Sequence, residues 1–433
     1  MFVVMFSWGV FVLSALMLVP LTVLLAQVVA ACLPQSRKTS MKGTGRADGQ
    51  QALHRPGIAV LVPAHNEASG IRATLDSIRP QLIDSDRLLV VADNCSDATA
   101  VIALDAGAEV IERTDPSCLG KGYALDYGVR YLANIQSQGK GHDIDLPDVL
   151  IIIDADCEAG TGTIARLASL CATQGRPVQA LYLMGAAQDS GSRAGASSAI
   201  SEFAWILKNQ VRPLGFNRLG LPCQLMGSGM ALPWPALQRV TLASDDLVED
   251  AQLGLDFARM GLAPLFCPQA LIRSRFPNSP DGRQSQRRRW EHGSLSLLMF
   301  GIPRFIADII SQTGRRPLDG PNDASSLCLL ALALDLCVPP IALLTVMVAA
   351  VFALAITQVY WLAGSMLPLL AAGFAALLLS LAVGLAWLRF GRDVVSLGRL
   401  LLSPAYALAK LPLYGSFFWR RQLAWIRTNR DEK

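Results

Sequence analysis

The chain has 433 residues, enough for two or three domains, and 52% of them are hydrophobic, which is more than a soluble enzyme usually carries. Part of the chain is therefore predicted to lie in a membrane. The 38 basic residues barely exceed the 34 acidic ones, so no nucleic-acid partner is expected. Nine cysteines stand without a C-x-x-C pair beside only four histidines, which argues against a zinc site or a disulfide framework and fits a reduced cytoplasmic domain.

The N-terminal segment 1–32 is apolar almost throughout and is long enough to span a hydrocarbon core of ~30 Å. A cleaved signal peptide is the weaker interpretation, because no basic residue precedes the apolar run and the run is longer than a signal-peptide core. The next segment, 33–57, is polar and carries several Lys and Arg residues. By the positive-inside rule it is predicted to be a cytoplasmic linker to a cytoplasmic domain.

From residue 58 onward, short apolar runs alternate with helical patterns, which predicts an α/β fold with a mostly parallel sheet covered on both faces. The predicted strands are Ile58–Val62, Leu88–Val91, Glu109–Ile111, Val149–Ile153 and Ala180–Met184. The predicted helices are Ser69–Ile78, Ala98–Ala106, Gly122–Ala133 and Thr163–Ala172.

The most informative of these strands is Val149–Ile153, which runs directly into Asp154-Ala155-Asp156. Ligands bind open α/β sheets at the carboxyl ends of their strands, where these two carboxylates emerge. Two carboxylates can share one hard cation, and such a cation commonly accompanies a diphosphate. A surface turn rich in Asp is the alternative; an EF-hand loop is set aside, because Ala159 stands where it needs Gly.

Polar residues also follow the neighbouring strands. Pro63 to Glu67 could hold a base and ribose, although Asn-Glu is equally an ordinary helix start. Asp93, at the end of the second strand, could bind the nucleotide. Lys121 begins a helix and could neutralise a phosphate, or it could be a solvated lysine, since the surrounding residues do not form a Walker A loop.

Two later stretches contain candidates for binding the acceptor and for catalysis. Gly227 and Ser228 lie in a strand-like run, 224–232, where glycine indicates close approach of a ligand or tight packing. Glu249 and Asp250 lie at the start of a predicted helix, where acids commonly complement the helix dipole. Asp250 is the candidate general base, with Glu249 beside it.

The run Gln286-Arg287-Arg288-Arg289-Trp290 is the most specific short pattern in the chain. A basic cluster near a membrane usually contacts anionic lipids, but this does not explain the Gln and the Trp. The Trp290 ring could stack on a sugar, and Arg289 could hold a departing diphosphate. The segment that follows, Leu295–Ile310, is apolar enough to lie on the membrane surface.

Two further apolar blocks, Leu327–Ile356 and Trp361–Leu388, are each predicted to span the membrane, joined by a short link at 357–360. Asp335 in the first block is costly in lipid and is expected to face protein or water. The last apolar segment, Leu400–Phe418, is predicted to be interfacial or re-entrant, because a fourth span would place the basic C-terminal tail outside.

The order of Asp93, Asp154-x-Asp156, Glu249-Asp250 and Gln286-Arg-Arg-Arg289-Trp290 resembles that of the membrane-integrated family 2 glycosyltransferases, relatives of cellulose, chitin and hyaluronan synthases. The resemblance covers roughly 58–290. It implies a GT-A (Rossmann-like) domain, a UDP-sugar donor, Mg²⁺ or Mn²⁺, and inversion at the anomeric carbon. By motif match, it implies nucleotide contacts for Asp93 and Asp154, metal contacts for Asp156, a base role for Asp250, and diphosphate and acceptor contacts for Gln286, Arg289 and Trp290.

The predicted division is 1–32 transmembrane, 33–57 linker, 58–290 catalytic domain, 291–323 interfacial helices, 324–388 two transmembrane helices and 389–433 interfacial helix and tail. The predicted location is the inner (cell) membrane. The first hypothesis is transfer to a growing polysaccharide; three spans are few for secretion, so a membrane partner or exporter would then be needed. The alternative is transfer of one sugar to a lipid-linked acceptor. A catalytically silent, nucleotide-binding subunit is a hypothesis of another class, and a transporter is the weakest.

Overall fold

A computed structural model describes residues 2–34, 55–137, 146–185, 195–244, 248–276, 280–303, 305–307, 322–362 and 364–419. Its strands are β1 (Ile58–Ala64), β2 (Arg87–Asp93), β3 (Glu109–Arg113), β4 (Val149–Ile152), β5 (Glu158–Ala159), β6 (Val178–Gly185), β7 (Met230–Pro233) and β8 (Leu265–Arg275). The helices up to residue 301 are α1 (Phe2–Cys32), α2 (Ile71–Ile78), α3 (Thr99–Asp105), α4 (Lys121–Ser137), α5 (Thr163–Gln174), α6 (196–218), α7 (Trp234–Leu237), α8 (Glu249–Arg259) and α9 (280–301). The later helices are α10 (Asn322–Leu336), α11 (Ile341–Leu362), α12 (367–391), α13 (Leu397–Leu400), α14 (Ser403–Leu408) and α15 (Leu411–Trp419).

All eight strands form one sheet in the order β3-β2-β1-β4-β7-β6-β8-β5. The pairs β1 with β2, β1 with β4 and β2 with β3 are parallel, as predicted. The expectation of a mostly parallel sheet is confirmed only in part, because β7 runs antiparallel to both β4 and β6 and β5 runs antiparallel to β8, whereas β6 and β8 are parallel. The sheet is therefore mixed, and its parallel half carries the strand ends singled out in the sequence.

The five predicted strands and four predicted helices of this domain are confirmed, with ends shifted by a few residues. Alternate side chains of β1 explain the two-sided core, since successive residues of a strand point to opposite faces. Val60 packs with Ile71 and Leu75 of α2 on one face. Leu61 packs with Leu125 of α4 on the other. The run 224–232, by contrast, joins the sheet only from Met230 onward.

Within the residues that the structure describes, three helices are long and apolar enough to cross a membrane: Val3–Cys32, Ile341–Leu362 and Leu367–Gly391. The expected single span Leu327–Ile356 is wrong, because the chain leaves the helix near Pro339 and Pro340 and forms α10 and α11 instead. The expected link 357–360 lies inside α11.

The first apolar helix packs on the catalytic domain as well as on the other membrane helices. Leu21 and Leu24 of α1 share a cluster with Phe203 of α6 and Ala382 of α12. At Gly215 of α6, an added Cβ would lie only 2.0 Å from the Gln27 carbonyl oxygen, so this glycine permits the close helix crossing. The crossing fixes the catalytic domain against α1.

After residue 391, the described helices α13, α14 and α15 have 4, 6 and 9 residues. Tyr414 and Phe417 of α15 pack on Leu295 of α9, which ties the C-terminal segment to the run that follows the QRRRW pattern. Most of the linker, the acids Asp245 and Asp246, residues 308–321 and the basic tail from residue 420 lie outside the described residues.

Candidate active site

The carboxyl ends of β1, β2 and β4 border a cavity of about 1340 Å³. Among its lining residues are almost all the site residues predicted from the sequence: Pro63, Glu67, Asp93, Lys121, Asp154, Asp156, Gly227, Glu249, Asp250, Gln286, Arg289 and Trp290. Side chains from distant parts of the chain therefore lie around one cavity, because the carboxyl ends of neighbouring parallel strands lie at the same edge of the sheet.

Ser228 differs from this set. It was predicted to contact the acceptor, but it is fully buried and does not line the cavity. Its hydroxyl instead accepts a hydrogen bond from the backbone N–H of Asp154, at 3.1 Å. Ser228 thus holds the end of β4 in place, and Gly227 beside it is the residue of this pair that faces the cavity.

Lys121 was expected either to neutralise a phosphate or to be solvated. Its ammonium pairs with the Asp154 carboxylate and donates to the Gly227 carbonyl oxygen at 2.5 Å. Burial acts to lower the pKa of Lys121, but the carboxylates of Asp154, Glu249 and Asp250 raise it, and the net shift is upward. Lys121 is therefore a fixed cation that joins α4, β4 and the Gly227 loop.

The residues after β4 could hold a divalent cation. Ligand atoms of Asp154, Asp156 and Cys157 lie within 4.8 Å of one another. The Ser274 hydroxyl donates to Asp156 Oδ2 at 3.0 Å, which orients that carboxylate. The two carboxylates fit a hard ion such as Mg²⁺ or Mn²⁺. Burial raises the pKa of the Cys157 thiol well above its usual range, so the thiol stays protonated and is a poor ligand.

Asp93 is nearly buried and is held by a cation of its own. Arg113 donates to Asp93 Oδ1 at 2.6 Å, and Asn94 donates to the same oxygen at 3.0 Å. Arg113 was not singled out in the sequence, although it ends β3 at the same sheet edge and the strand-end rule could have found it. The second carboxylate oxygen of Asp93 has no hydrogen bond among those described, and Asp93 lines the cavity.

Glu249 and Asp250 are the first residues of α8, and both line the cavity. Burial, followed by the neighbouring Asp250 charge, raises the pKa of Glu249 to about 7. Burial also raises the pKa of Asp250, against the lowering effect of Lys121. Asp250 Oδ1 accepts from the Ala251 N–H at 2.8 Å. A carboxylate with a raised pKa beside a cavity can accept a proton from an attacking group near neutral pH.

The QRRRW run forms the middle of α9. Gln286 is buried, and the Trp290 ring lies 4.7 Å from that of Trp205, tilted by 39°. Trp205 is held in turn by its indole N–H, which donates to the Tyr182 carbonyl oxygen at 3.0 Å. Trp205 was missed because a single Trp in an apolar helix carries no sequence signal beyond core packing. The two rings provide flat apolar surface next to the carboxylates.

The same cavity is also lined by apolar residues of helices that could cross a membrane, among them Leu24 of α1, Ile341 of α11 and Val383 of α12. Close by, Asp335 is buried and accepts hydrogen bonds from Arg212 at 2.7 Å and Gln27 at 2.6 Å. The expectation that Asp335 faces protein or water is confirmed.

Three comparisons with known proteins bear on this site. A family model described as "Glycosyltransferase like family 2" matches residues 56–293. Glucosyl-3-phosphoglycerate synthase from Mycobacterium tuberculosis is 36% identical over 106 residues, covering 19% of this chain and 32% of the relative. The chain thus matches about a third of the length of this curated relative.

Among solved structures, the mannosyltransferase PcManGT from Pyrobaculum calidifontis, in complex with GDP-Man and Mn²⁺, is similar with a TM-score of 0.51 and 18% identity. The match covers 94% of this chain and 100% of that one. The glucosyl-3-phosphoglycerate synthase of M. tuberculosis with Mn²⁺ and UDP matches at 23% identity and a TM-score of 0.35, over 56% of this chain and 79% of that chain. The first likeness is one of fold and confirms the expected GT-A-like domain.

Proposed function

Because the chain belongs to the glycosyltransferase family 2-like proteins, whose model covers more than half of it, we propose that it transfers a sugar, with inversion, from a UDP-sugar to an acceptor at the membrane. One observation carries the proposal. Asp93, the Asp154 and Asp156 pair, Asp250 and Arg289 all line one cavity, although they are far apart in the chain. These are the groups that a single displacement at an anomeric carbon requires.

The donor would lie along the ends of β1, β2 and β4. Asp93 and Glu67 would contact the nucleoside, with Pro63 shaping the turn beside it. Asp154 and Asp156 would hold Mg²⁺ or Mn²⁺, an ion that neutralises the charge developing on the leaving diphosphate. Arg289 would add paired hydrogen bonds to the same diphosphate.

Asp250 would act as the base. An acceptor oxygen attacks the anomeric carbon, the bond from that carbon to the diphosphate oxygen breaks, and the acceptor proton passes to Asp250. Lys121 would favour the ionised forms of Asp250 and Asp154, because its charge lowers the pKa of both carboxyls against the larger raising effect of burial. One displacement gives inversion, and no covalent nucleophile is required.

The acceptor that we favour is a lipid-linked one. The cavity that Asp250 lines is also lined by apolar residues of α1, α11 and α12, which suits an acceptor that enters from a lipid layer. A growing polysaccharide is the second candidate. Its support is the pair Trp205 and Trp290, whose rings offer stacking surface for a sugar. We assign the protein to the cell membrane, with the catalytic domain in the cytoplasm.

The test is a donor screen with membranes that contain the full chain. Labelled UDP-sugars, with GDP-sugars in parallel, are incubated and the products are separated by extraction. A labelled lipid in the organic phase supports the lipid-linked acceptor, whereas a high-mass polymer supports the second candidate. Asp250→Asn should abolish transfer, and Asp126→Asn on the outer face of α4 should not.

Two results would contradict the proposal. Transfer that is unchanged in purified Asp250→Asn protein would remove Asp250 from the chemistry. Absence of transfer from every nucleotide sugar by the wild type would favour the silent, nucleotide-binding subunit.

A further inference from the structure

The C-terminal segment 403–419 contains an ion pair that joins it to α9, the helix of the QRRRW run. Lys410, between α14 and α15, donates to Glu291 Oε1 at 2.5 Å. The side chain of Lys410 is 13% exposed and that of Glu291 is 9% exposed. Removing one partner of an ion pair that is so shielded from water is costly, unlike breaking a surface pair. The pair therefore fixes α9 at the residue directly after Trp290.

The next residue of α9 also contacts the C-terminal segment. His292 Nε2 lies 3.3 Å from the Leu413 carbonyl oxygen and 3.2 Å from Ser416 Oγ, both in α15. The ring of Phe417 meets that of His292 edge-on, with 5.4 Å between the ring centroids. Two successive residues of α9 are thus held by the C-terminal segment, and α9 cannot turn there without breaking a polar contact.

Tyr406 of α14 connects the C-terminal segment to α6 as well. Its hydroxyl lies 2.7 Å from Ser201 Oγ of α6, within hydrogen-bonding distance. The Lys410 ammonium lies 5.2 Å from the centroid of the Tyr406 ring, and the Arg287 guanidinium of α9 lies 5.7 Å from it. Because α6 and α9 each carry one ring of the tryptophan pair, the C-terminal segment contacts both helices of that pair.

We propose that Glu291 and Lys410 form a positioning pair, which holds α9 so that Arg289 can bind the diphosphate of the donor. The inference rests on the proposed function, which gives Arg289 that contact. Neither residue of the pair contacts the donor; each acts through α9. Arg289 lies two residues before Glu291 on one continuous helix, so a shift of α9 at Glu291 moves the Arg289 guanidinium with it. Paired hydrogen bonds to a diphosphate require a fixed geometry, and a small shift weakens them.

A direct electrostatic effect of the pair on the donor predicts a different result from positioning. Lys410 and Glu291 both line the cavity and carry opposite charges. If these charges acted on the diphosphate through space, removing the Lys410 charge would weaken its binding and removing the Glu291 charge would strengthen it. If the pair positions α9, either removal weakens diphosphate binding. Removing both charges then weakens it about as much as removing one, because the two residues act as a unit.

The experiment compares the binding of UDP and UMP, each with Mn²⁺, to the purified full-length protein in neutral detergent by titration calorimetry. UMP lacks the second phosphate of UDP, so the ratio of the two dissociation constants reports on contacts to that phosphate. We expect the wild type to bind UDP at least about tenfold more tightly than UMP. Arg289→Met should lower this preference and serves as the reference for a lost diphosphate contact.

The variants of the pair should reproduce the effect of that reference. Lys410→Met, Glu291→Gln and the double variant should each lower the preference for UDP about as much as Arg289→Met does. Lys410→Arg, which keeps the charge, should keep most of the preference. The control Arg130→Met, which removes one partner of an exposed pair with Asp126, should keep all of it. The double variant leaves neither charge of the pair unpaired, so it tests the inference even if a single variant does not fold.

Three results would overturn the inference. One is a preference for UDP in the folded double variant as strong as that of the wild type. Another is a stronger preference in Glu291→Gln than in the wild type, which would assign the pair a direct electrostatic effect. The third is an equal loss in Arg130→Met, which would make the effect unspecific. Each of these leaves donor use intact, whereas a wild type that does not bind UDP with Mn²⁺ would refute the proposed function and this inference together.

Discussion

The ammonium of Lys121 pairs with the carboxylate of Asp154 and donates at 2.5 Å to the carbonyl oxygen of Gly227. A lysine at the start of α4 therefore neutralises the first carboxylate after β4, and Asp156 is left as the carboxylate oriented by the Ser274 hydroxyl. The nearby carboxylates of Glu249 and Asp250 also raise the pKa of this ammonium. The charge balance around Asp154, Glu249 and Asp250 therefore depends on this one side chain.

Replacing Lys121 should impair catalysis in a pH-dependent way. Lys121→Met removes the charge that lowers the pKa of Asp154, Glu249 and Asp250, so these carboxyls will hold their protons to higher pH. We expect kcat/KM to fall about a hundredfold at pH 7, and the acidic limb of the pH–rate profile to move to higher pH. Lys121→Arg, which keeps the charge, should keep the limb in place. A Lys121→Met profile that coincides in shape with that of the wild type would contradict the assigned role.

Glu249 should make the metal-free protein less stable as the pH rises. Its pKa is raised to about 7 from 4.5, so between these values the folded state holds a proton that the unfolded state has lost. The contribution of the Glu249 carboxyl to the stability of the folded state is therefore fully present below about pH 4.5 and is lost as the pH rises through about 7. Between pH 5 and pH 8, we expect the free energy of unfolding of Glu249→Gln to rise by about 2 kcal/mol relative to that of the wild type. The measurement is thermal unfolding in detergent. The stability of the exposed control Glu112→Gln should depend on pH as that of the wild type does. If the stability of Glu249→Gln also depended on pH in the same way as that of the wild type, the carboxyl of Glu249 would not titrate as described.

Gly227 and Gly220 form a matched pair for testing the approach to Asp250. Both have positive φ, +86° and +72°, so Ala strains the backbone at either position by about 1 kcal/mol. Only at Gly227 would the added Cβ lie 3.3 Å from Asp250 Oδ2, whereas at Gly220 it would meet nothing within 4 Å. We expect similar losses of thermal stability, but a loss of kcat/KM of tenfold or more only in Gly227→Ala. Equal activity of the two variants would place Asp250 away from the reacting atoms.

Asp335 should contribute more to stability than a surface acid. Asp335→Ala leaves Arg212 without its partner in a buried setting, which is expected to cost about 3–5 kcal/mol. Asp76→Ala breaks an exposed pair with Arg72 and should cost less than about 1 kcal/mol. Thermal unfolding of both variants in the same detergent is the measurement. Similar melting temperatures for the two would mean that the buried pair adds little to the packing of α6 on α10.

The parallel half of the fold could be predicted from the sequence because β1, β2 and β4 are uniformly apolar and end in polar residues. The other half could not. β7 has only four residues, and β8 contains Pro268 and polar residues that obscure its alternation. Tertiary pairing, not local pattern, decides these strands.

The site also contains residues that the sequence predicts and residues that it does not. Asp93, Asp154, Asp156 and Asp250 follow from strand and helix ends, which the sequence marks. Ser228 was predicted to contact the acceptor, but Gly227 lines the cavity while Ser228 itself is fully buried, a difference that the sequence does not display.

The central claim is that Asp154 and Asp156 hold a divalent cation beside a nucleotide sugar. The most direct test is the rate of sugar transfer by the purified wild type and by Asp156→Asn as a function of Mn²⁺ concentration after treatment with EDTA, using the UDP-sugar that the donor screen selects. We expect no transfer without the cation, saturable recovery with Mn²⁺, and at least a tenfold higher Mn²⁺ concentration for half-maximal rate in Asp156→Asn. A full rate in EDTA, or the same Mn²⁺ dependence in both proteins, would contradict it.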